Sequence, residues 1–115
     1  SFRIASGAMD LDSIPWQPTQ FDGISVHVYG SERSGGRTLM LVSMAPGCSG
    51  PRQKHLGETD VLVLRGGYQD EFGVYSPGQL VRYAPGDEHG PRAQGKLGGE
   101  PCVLLALARE GIKRL

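Results

Sequence analysis

The sequence is poor in the features that mark several large protein classes. It has only two cysteines, Cys48 and Cys102, too few for the disulfide framework of a small secreted domain. Both read as reduced thiols of a cytoplasmic protein. No apolar run approaches the roughly 20 residues of a membrane-spanning helix, and the opening Ser1–Asp10 lacks the apolar stretch of a secretory signal. Charge of one sign is not in excess, since 12 basic residues balance 12 acidic ones. No basic cluster stands out, so the electrostatic footprint of a nucleic-acid binder is missing. Histidine is scarce too, at positions 27, 55 and 89 only.

What is abundant is punctuation. Gly 18 and Pro 8 together exceed a fifth of 115 residues, too much for long helices and well suited to short strands joined by turns. No Gly-x-y period accompanies them, which argues against collagen. The length points to one domain. Residues 1–8 read as an expression scar or disordered start, leaving 9–115 as the single domain.

Strand signals recur at short intervals. Gly23–Tyr29 alternates Ile24, Val26 and Val28 with Ser25, His27 and Tyr29, the period of a strand with one buried face. Arg37–Ala45 is a nearly continuous apolar run, and Gly50–His55 is half extended. Thr59–Arg65 is β-branched and apolar, the clearest strand of the chain. Tyr68–Asp70 and Val74-Tyr75 flank Glu71-Phe72-Gly73 as a hairpin. Gln79–Ala84, an extended Glu88–Ala93 and Pro101–Arg109 follow, separated by Pro85-Gly86-Asp87 and the Gly-rich 94–100. This pattern predicts an all-β sandwich or barrel. Val61–Leu64 is apolar on both faces, so its outward set needs another sheet or a partner subunit. A homodimer is therefore expected.

The histidines carry a longer pattern. Gly47, Gln53, His55, Thr59 and Gly66 are spaced by five, one, three and six residues. Further on, Gly78 is followed after five residues by Ala84-Pro85-Gly86, then after two by His89 and after three by Ala93. These spacings are those of the two cupin motifs, G-x5-H-x-H-x3-4-E-x6-G and G-x5-P-x-G-x2-H-x3-N. The chain thus resembles the RmlC-like cupin superfamily. With Pro15-Trp16, Pro46-Gly47 and Val61-Leu62-Val63-Leu64, it looks in particular like the cupin domain of ChrR-type bacterial anti-sigma factors and its free-standing relatives. The resemblance implies a small antiparallel double-stranded β-helix, the jelly-roll barrel, over about Pro15 to Ala108. It also implies one divalent ion inside, Fe, Mn, Ni or Zn, held by three imidazoles and a carboxylate.

The chain departs from that set. Gln53 replaces an imidazole and Thr59 replaces the carboxylate, while His55 and His89 are kept. Residues 53 and 55 are two apart on an extended segment and so share a face. Glu58, in the turn before the next strand, is the candidate replacement carboxylate, ahead of Asp60, which points away from Thr59. Metal ligands would then be His55, His89, Gln53 and Glu58; the alternative is a polar pocket with no ion and Glu58 solvated. Cys48 reads as packing or loop rather than a ligand, Cys102 as core, and His27 as a surface residue. Trp16, Phe21 and Tyr29 are expected to pack, and only one of Arg82 and Tyr83 can face the pocket. Two functions follow: a small-molecule-binding cupin with metal-dependent activity, of dioxygenase or isomerase type, or a ligand-sensing module without chemistry. The relatives grip their sigma factor through a separate helical domain with no counterpart before Pro15, so sigma-factor binding is not expected.

Overall fold

The computed structural model describes residues 10–32, 36–96 and 98–115; the expected break between residues 8 and 9 lies outside them. The regular structure among the described residues is almost entirely strand. A six-stranded sheet runs in the order β1 (Gln17–Pro18), β2 (Ile24–Ser31), β3 (Arg37–Met44), β11 (Cys102–Arg109), β5 (Thr59–Arg65), β8 (Leu80–Tyr83). Two smaller sheets follow. One is β10 (Arg92–Ala93), β6 (Tyr68–Asp70) and β7 (Gly73–Tyr75); the other is β12 (Ile112–Arg114), β4 (Gln53–His55) and β9 (Glu88–His89). Every pairing is antiparallel, as expected for the jelly-roll barrel. No described helix is long and apolar enough to cross a membrane.

Most expected strands form within a residue or two of their predicted ends. The β12 strand and the short 3-10 helix Leu11–Ser13 have no clear signal in the sequence, because Ile-Lys-Arg and Leu-Asp-Ser carry no period long enough to read.

Alternation sorts the side chains. Along β5, Thr59, Val61 and Val63 are buried and turn inward, where Ile24, Met44, Tyr68, Tyr83, Cys102 and Leu104 join them in the main core. A second cluster lies on the outer face of the large sheet, where Leu11, Leu41 and Val103 pack with Ile14, Trp16, Leu64 and Leu105. Trp16 Nε1 donates to the Leu11 carbonyl at 3.1 Å, which folds the opening segment on itself, and its apolar side chains hold it against that face. Part of the apolar face that the sequence reading leaves to another sheet or a partner subunit is thus covered by the chain itself.

One glycine shapes the barrel wall. Gly66 ends β5 at φ 75°, and a Cβ there would lie 2.6 Å from the Pro101 carbonyl oxygen. Left-handed backbone and close approach together admit only glycine. Just before it the β5–β11 register shifts by one residue between Val103 and Leu104, a bulge that bends the strand as barrel closure requires.

Candidate functional site

The inward faces enclose a cavity of about 270 Å³. Its long wall comes from β2, β3, β5 and β11, whose inward positions carry Val26, Met40, Val42, Val61, Leu104, Ala106 and Ala108. The two alanines leave unfilled the space that larger aliphatic side chains would occupy. The opposite wall is polar. There β4 presents Gln53 and His55, and β9 presents His89 directly across from Gln53.

The two imidazoles that the motifs single out meet. His55 Nε2 and His89 Nε2 are 2.9 Å apart, and both residues are only 3% exposed. The Gln53 amide nitrogen lies 2.9 Å from the same His89 Nε2. Thr59 Oγ1 lies 3.0 Å from His55 Nδ1. Tyr83 stacks on both rings, with centroids 4.7 Å from His55 and 4.3 Å from His89, so it is Tyr83 and not Arg82 that turns inward.

Glu58 does not join them. Its carboxylate sits 3.7 Å from both Arg82 Nε and Arg109 Nη1, beside the Asp60–Arg82 and Asp60–Arg109 pairs on the outside of the large sheet. Two guanidiniums facing water hold it there. The expected fourth ligand is therefore corrected: three of the four predicted residues converge, and Glu58 is structural.

The carboxylate that does reach the cluster is Asp70, at the end of β6. Its side chain is wholly inaccessible. Oδ2 accepts from His89 Nδ1 at 3.0 Å and from Tyr83 Oη at 2.5 Å. Oδ1 accepts from Tyr75 Oη at 2.9 Å and from the amides of Phe72 and Gly73 at 2.9 and 3.2 Å. Tyr68 Oη, 2.6 Å from Tyr83 Oη, donates to it, because Tyr83 spends its own proton on Asp70. The sequence shows Asp70 only as the first residue of a turn, bonding amides two and three residues on. Its reach to His89 and two tyrosines is set by tertiary pairing and leaves no local signal.

The protonation states follow from burial and these bonds. Burial would raise the Asp70 carboxyl, but the bonds from Tyr83, Phe72 and Tyr75 and the nearby His89 outweigh it and hold it below the ordinary range. His55 is pushed down to about 4 by burial and then by the neighbouring His89. Burial also lowers His89, against the pull of Asp70. The Tyr75 hydroxyl is pushed up to about 12 by burial and Asp70, and Tyr83 is raised by the same causes. At neutral pH both imidazoles are neutral, and the donors form one chain. Thr59 Oγ–H gives to His55 Nδ1, His55 Nε2–H gives to His89 Nε2, and His89 Nδ1–H gives to Asp70.

These residues do not fit the ion that the resemblance implies. The Nε2 spacing is one that an ion about 2.1 Å from each nitrogen would span. The donor set, however, is two neutral imidazoles and an amide, with no ligating carboxylate to offset a divalent charge. Among the described residues no group of three or more His, Cys, Asp or Glu is placed to hold a metal. Nor does any buried side-chain nitrogen or oxygen among them lack a hydrogen-bond partner that an ion would have to supply.

Comparison with known proteins agrees with the fold. The family model of the ChrR cupin-like domain matches residues 5–101, and no curated protein matches. In the crystal structure of Rhodobacter sphaeroides SigE in complex with the anti-sigma ChrR, the matched chain is 25% identical at a TM-score of 0.74, over 86% of this chain and 50% of that one. This chain spans half its length. The sigma factor in that complex leaves the expectation against sigma-factor binding without support. An RmlC-like cupin from Ralstonia eutropha is 21% identical at a TM-score of 0.80, covering 97% of this chain and 73% of that one. An acetylacetone dioxygenase from Acinetobacter johnsonii is 13% identical at a TM-score of 0.77, covering all of this chain (100%) and 81% of its own; at that identity the likeness shows the fold alone.

Proposed function

The chain belongs to the ChrR cupin-like domain family, and from that premise we propose that it binds a small organic molecule in the barrel interior directly, through His55, His89 and Gln53, without a resident metal. The apolar body of the ligand lies against Val42, Val61, Leu104 and the two alanines, and its polar end meets the imidazole–amide cluster. The observation that carries this reading is the closed hydrogen-bond chain from Thr59 to Asp70. It satisfies every imidazole nitrogen with protein partners and holds both rings neutral and fixed. Pre-ordered polar groups at the end of an apolar cavity are what small-molecule recognition uses. An apolar cavity of this volume accommodates a ligand of about ten to fifteen non-hydrogen atoms.

The mechanism of recognition follows from the same bonds. Asp70 fixes the His89 tautomer, so the His89 Nε2 lone pair faces the cavity side, where Gln53 and His55 compete to donate to it. An incoming acceptor takes one of those N–H donors, and an incoming hydroxyl gives to the lone pair. No bond-making step is assigned to these residues.

The test has two arms. In a thermal-shift and calorimetric screen of small ketones, alcohols, amides and acids with apolar bodies, binding raises the midpoint of unfolding and is lost in His89→Ala. In parallel, elemental analysis of protein purified without a chelating column gives well under one metal ion per chain, and binding is unchanged by a chelator. Stoichiometric metal that disappears in His55→Ala would overturn the reading in favour of a metal-dependent enzyme of the kind the resemblance implies.

A further inference from the structure

The class of ligand can be narrowed from the strand register. In the smallest sheet, Arg114 on β12 pairs with Gln53 on β4, and Gln53 pairs with His89 on β9. Directly opposed residues in antiparallel strands share a face, so these three form a single row across the sheet, and all three line the cavity. The neighbouring row, one residue along, is Lys113, Lys54 and Glu88. It points the other way, to solvent, where charges need no explanation. Arg114 is the exception, a permanent charge on the inward row. Its guanidinium lies 5.1 Å over the ring of Phe21, which lines the cavity from the turn before β2. Among the described residues Arg114 has no carboxylate partner, and no Asp or Glu lines the cavity. Asp70, the nearest buried anion, stands behind His89 with its oxygens taken by five donors.

Resting on the small-molecule reading above, we propose that the row Arg114–Gln53–His89 seats an anionic head group, and that the ligand is a small organic carboxylate with an apolar body. The large sheet faces this row with aliphatic side chains, which suits the hydrocarbon part. The Gln53 amide supplies neutral N–H donors, and Arg114 supplies the charge and a planar fork that matches a carboxylate. A single cation suits a monoanion. A phosphate dianion would ask for more positive charge than the row holds.

The experiment uses the full chain and matched acid–amide pairs: hexanoate with hexanamide, octanoate with octanamide, and 4-phenylbutanoate with 4-phenylbutanamide, titrated calorimetrically at pH 7.5. The best-bound acid is expected to bind about tenfold more tightly than its amide, the lower end for a hydrogen bond to a charged group near solvent. Arg114→Gln reduces that ratio to about one, while Lys113→Gln, on the outward row, leaves it unchanged. Arg114 is exposed, so the variant keeps its fold, which an unchanged unfolding midpoint verifies. Equal binding of acid and amide by the native protein overturns the inference but leaves the small-molecule reading standing. The same holds for an acid preference that survives Arg114→Gln or is lost equally in Lys113→Gln. Failure of every acid to bind overturns the inference, and the small-molecule reading falls with it only if the screen of ketones, alcohols and amides is silent too.

Discussion

Replacing Asp70 with asparagine changes one atom of the side chain but reverses what it can offer. The carboxylate accepts from five donors. Asparagine keeps one oxygen, which can still serve Tyr75 and the amides of Phe72 and Gly73. Its NH₂ then faces Tyr83 Oη–H and His89 Nδ1–H, two donors that it cannot accept from. Relief requires His89 to move its proton to Nε2, His55 to move its own to Nδ1, and Thr59 to turn from donor to acceptor. Gln53 must also turn its NH₂ away from His89 Nε2, and Tyr83 must turn its hydroxyl proton toward Tyr68. The whole chain of bonds from Thr59 to Asp70 then runs backwards. Losing two charge-assisted bonds at a fully buried site, each worth about 1.5–3 kcal/mol, and regaining neutral ones leaves a net destabilisation of about 3 kcal/mol. Urea denaturation measures that loss. Nitrogen-15 NMR of the imidazoles reports the tautomers directly, with His89 protonated at Nδ1 in the native protein and at Nε2 in Asp70→Asn. A variant that loses less than about 1 kcal/mol with its His89 tautomer unchanged would refute the proton assignment and the ordering role given to Asp70.

Four other outcomes are expected. Folding stability falls as pH drops from 6.5 toward 4, because the unfolded chain protonates His55 near its ordinary 6.5 whereas the folded one resists to about 4. The loss reaches about 3 kcal/mol, and a flat profile in urea denaturation over that window would contradict the burial of a neutral ring. Ala106→Leu fills part of the cavity, so calorimetry finds ligand binding weakened at least tenfold (about 1.4 kcal/mol) in a protein that remains folded by circular dichroism. Leu41→Ala, under the Trp16 segment, costs about 2–5 kcal/mol in chemical denaturation without altering ligand affinity. Glu58→Ala changes stability by no more than about 1 kcal/mol and leaves binding intact, as its place among surface arginines requires.

Much of this fold is legible in the sequence, for reasons visible in particular strands. Thr59–Arg65 is β-branched and apolar with no helix former to compete, and it forms as read. The glycine at 66 marks a position that no other residue fills. The pairing of His55 with His89 follows from motif spacing, because turns of fixed length bring the same residues to the same point. The rest depends on contacts between distant segments. Glu58 is close enough in sequence to reach the pocket, but Arg82 and Arg109, 24 and 51 positions further on, decide its direction. Asp70 reads as an ordinary turn residue, and nothing local tells that His89, Tyr75 and Tyr83 converge on it. Arg114 lies in a three-residue strand whose inward face is defined only by its partner β4.

The two alanines on β11 have a consequence beyond leaving room. They lie on the wall opposite the row that carries the polar groups, on a different sheet, so the length of molecule admitted and the chemistry that grips its end are set by separate strands. Exchanging Ala106 or Ala108 for larger aliphatic residues would shorten the gauge one carbon at a time while the grip stayed constant. A barrel divided in this way can change its preferred ligand through single substitutions that leave its proton wiring untouched.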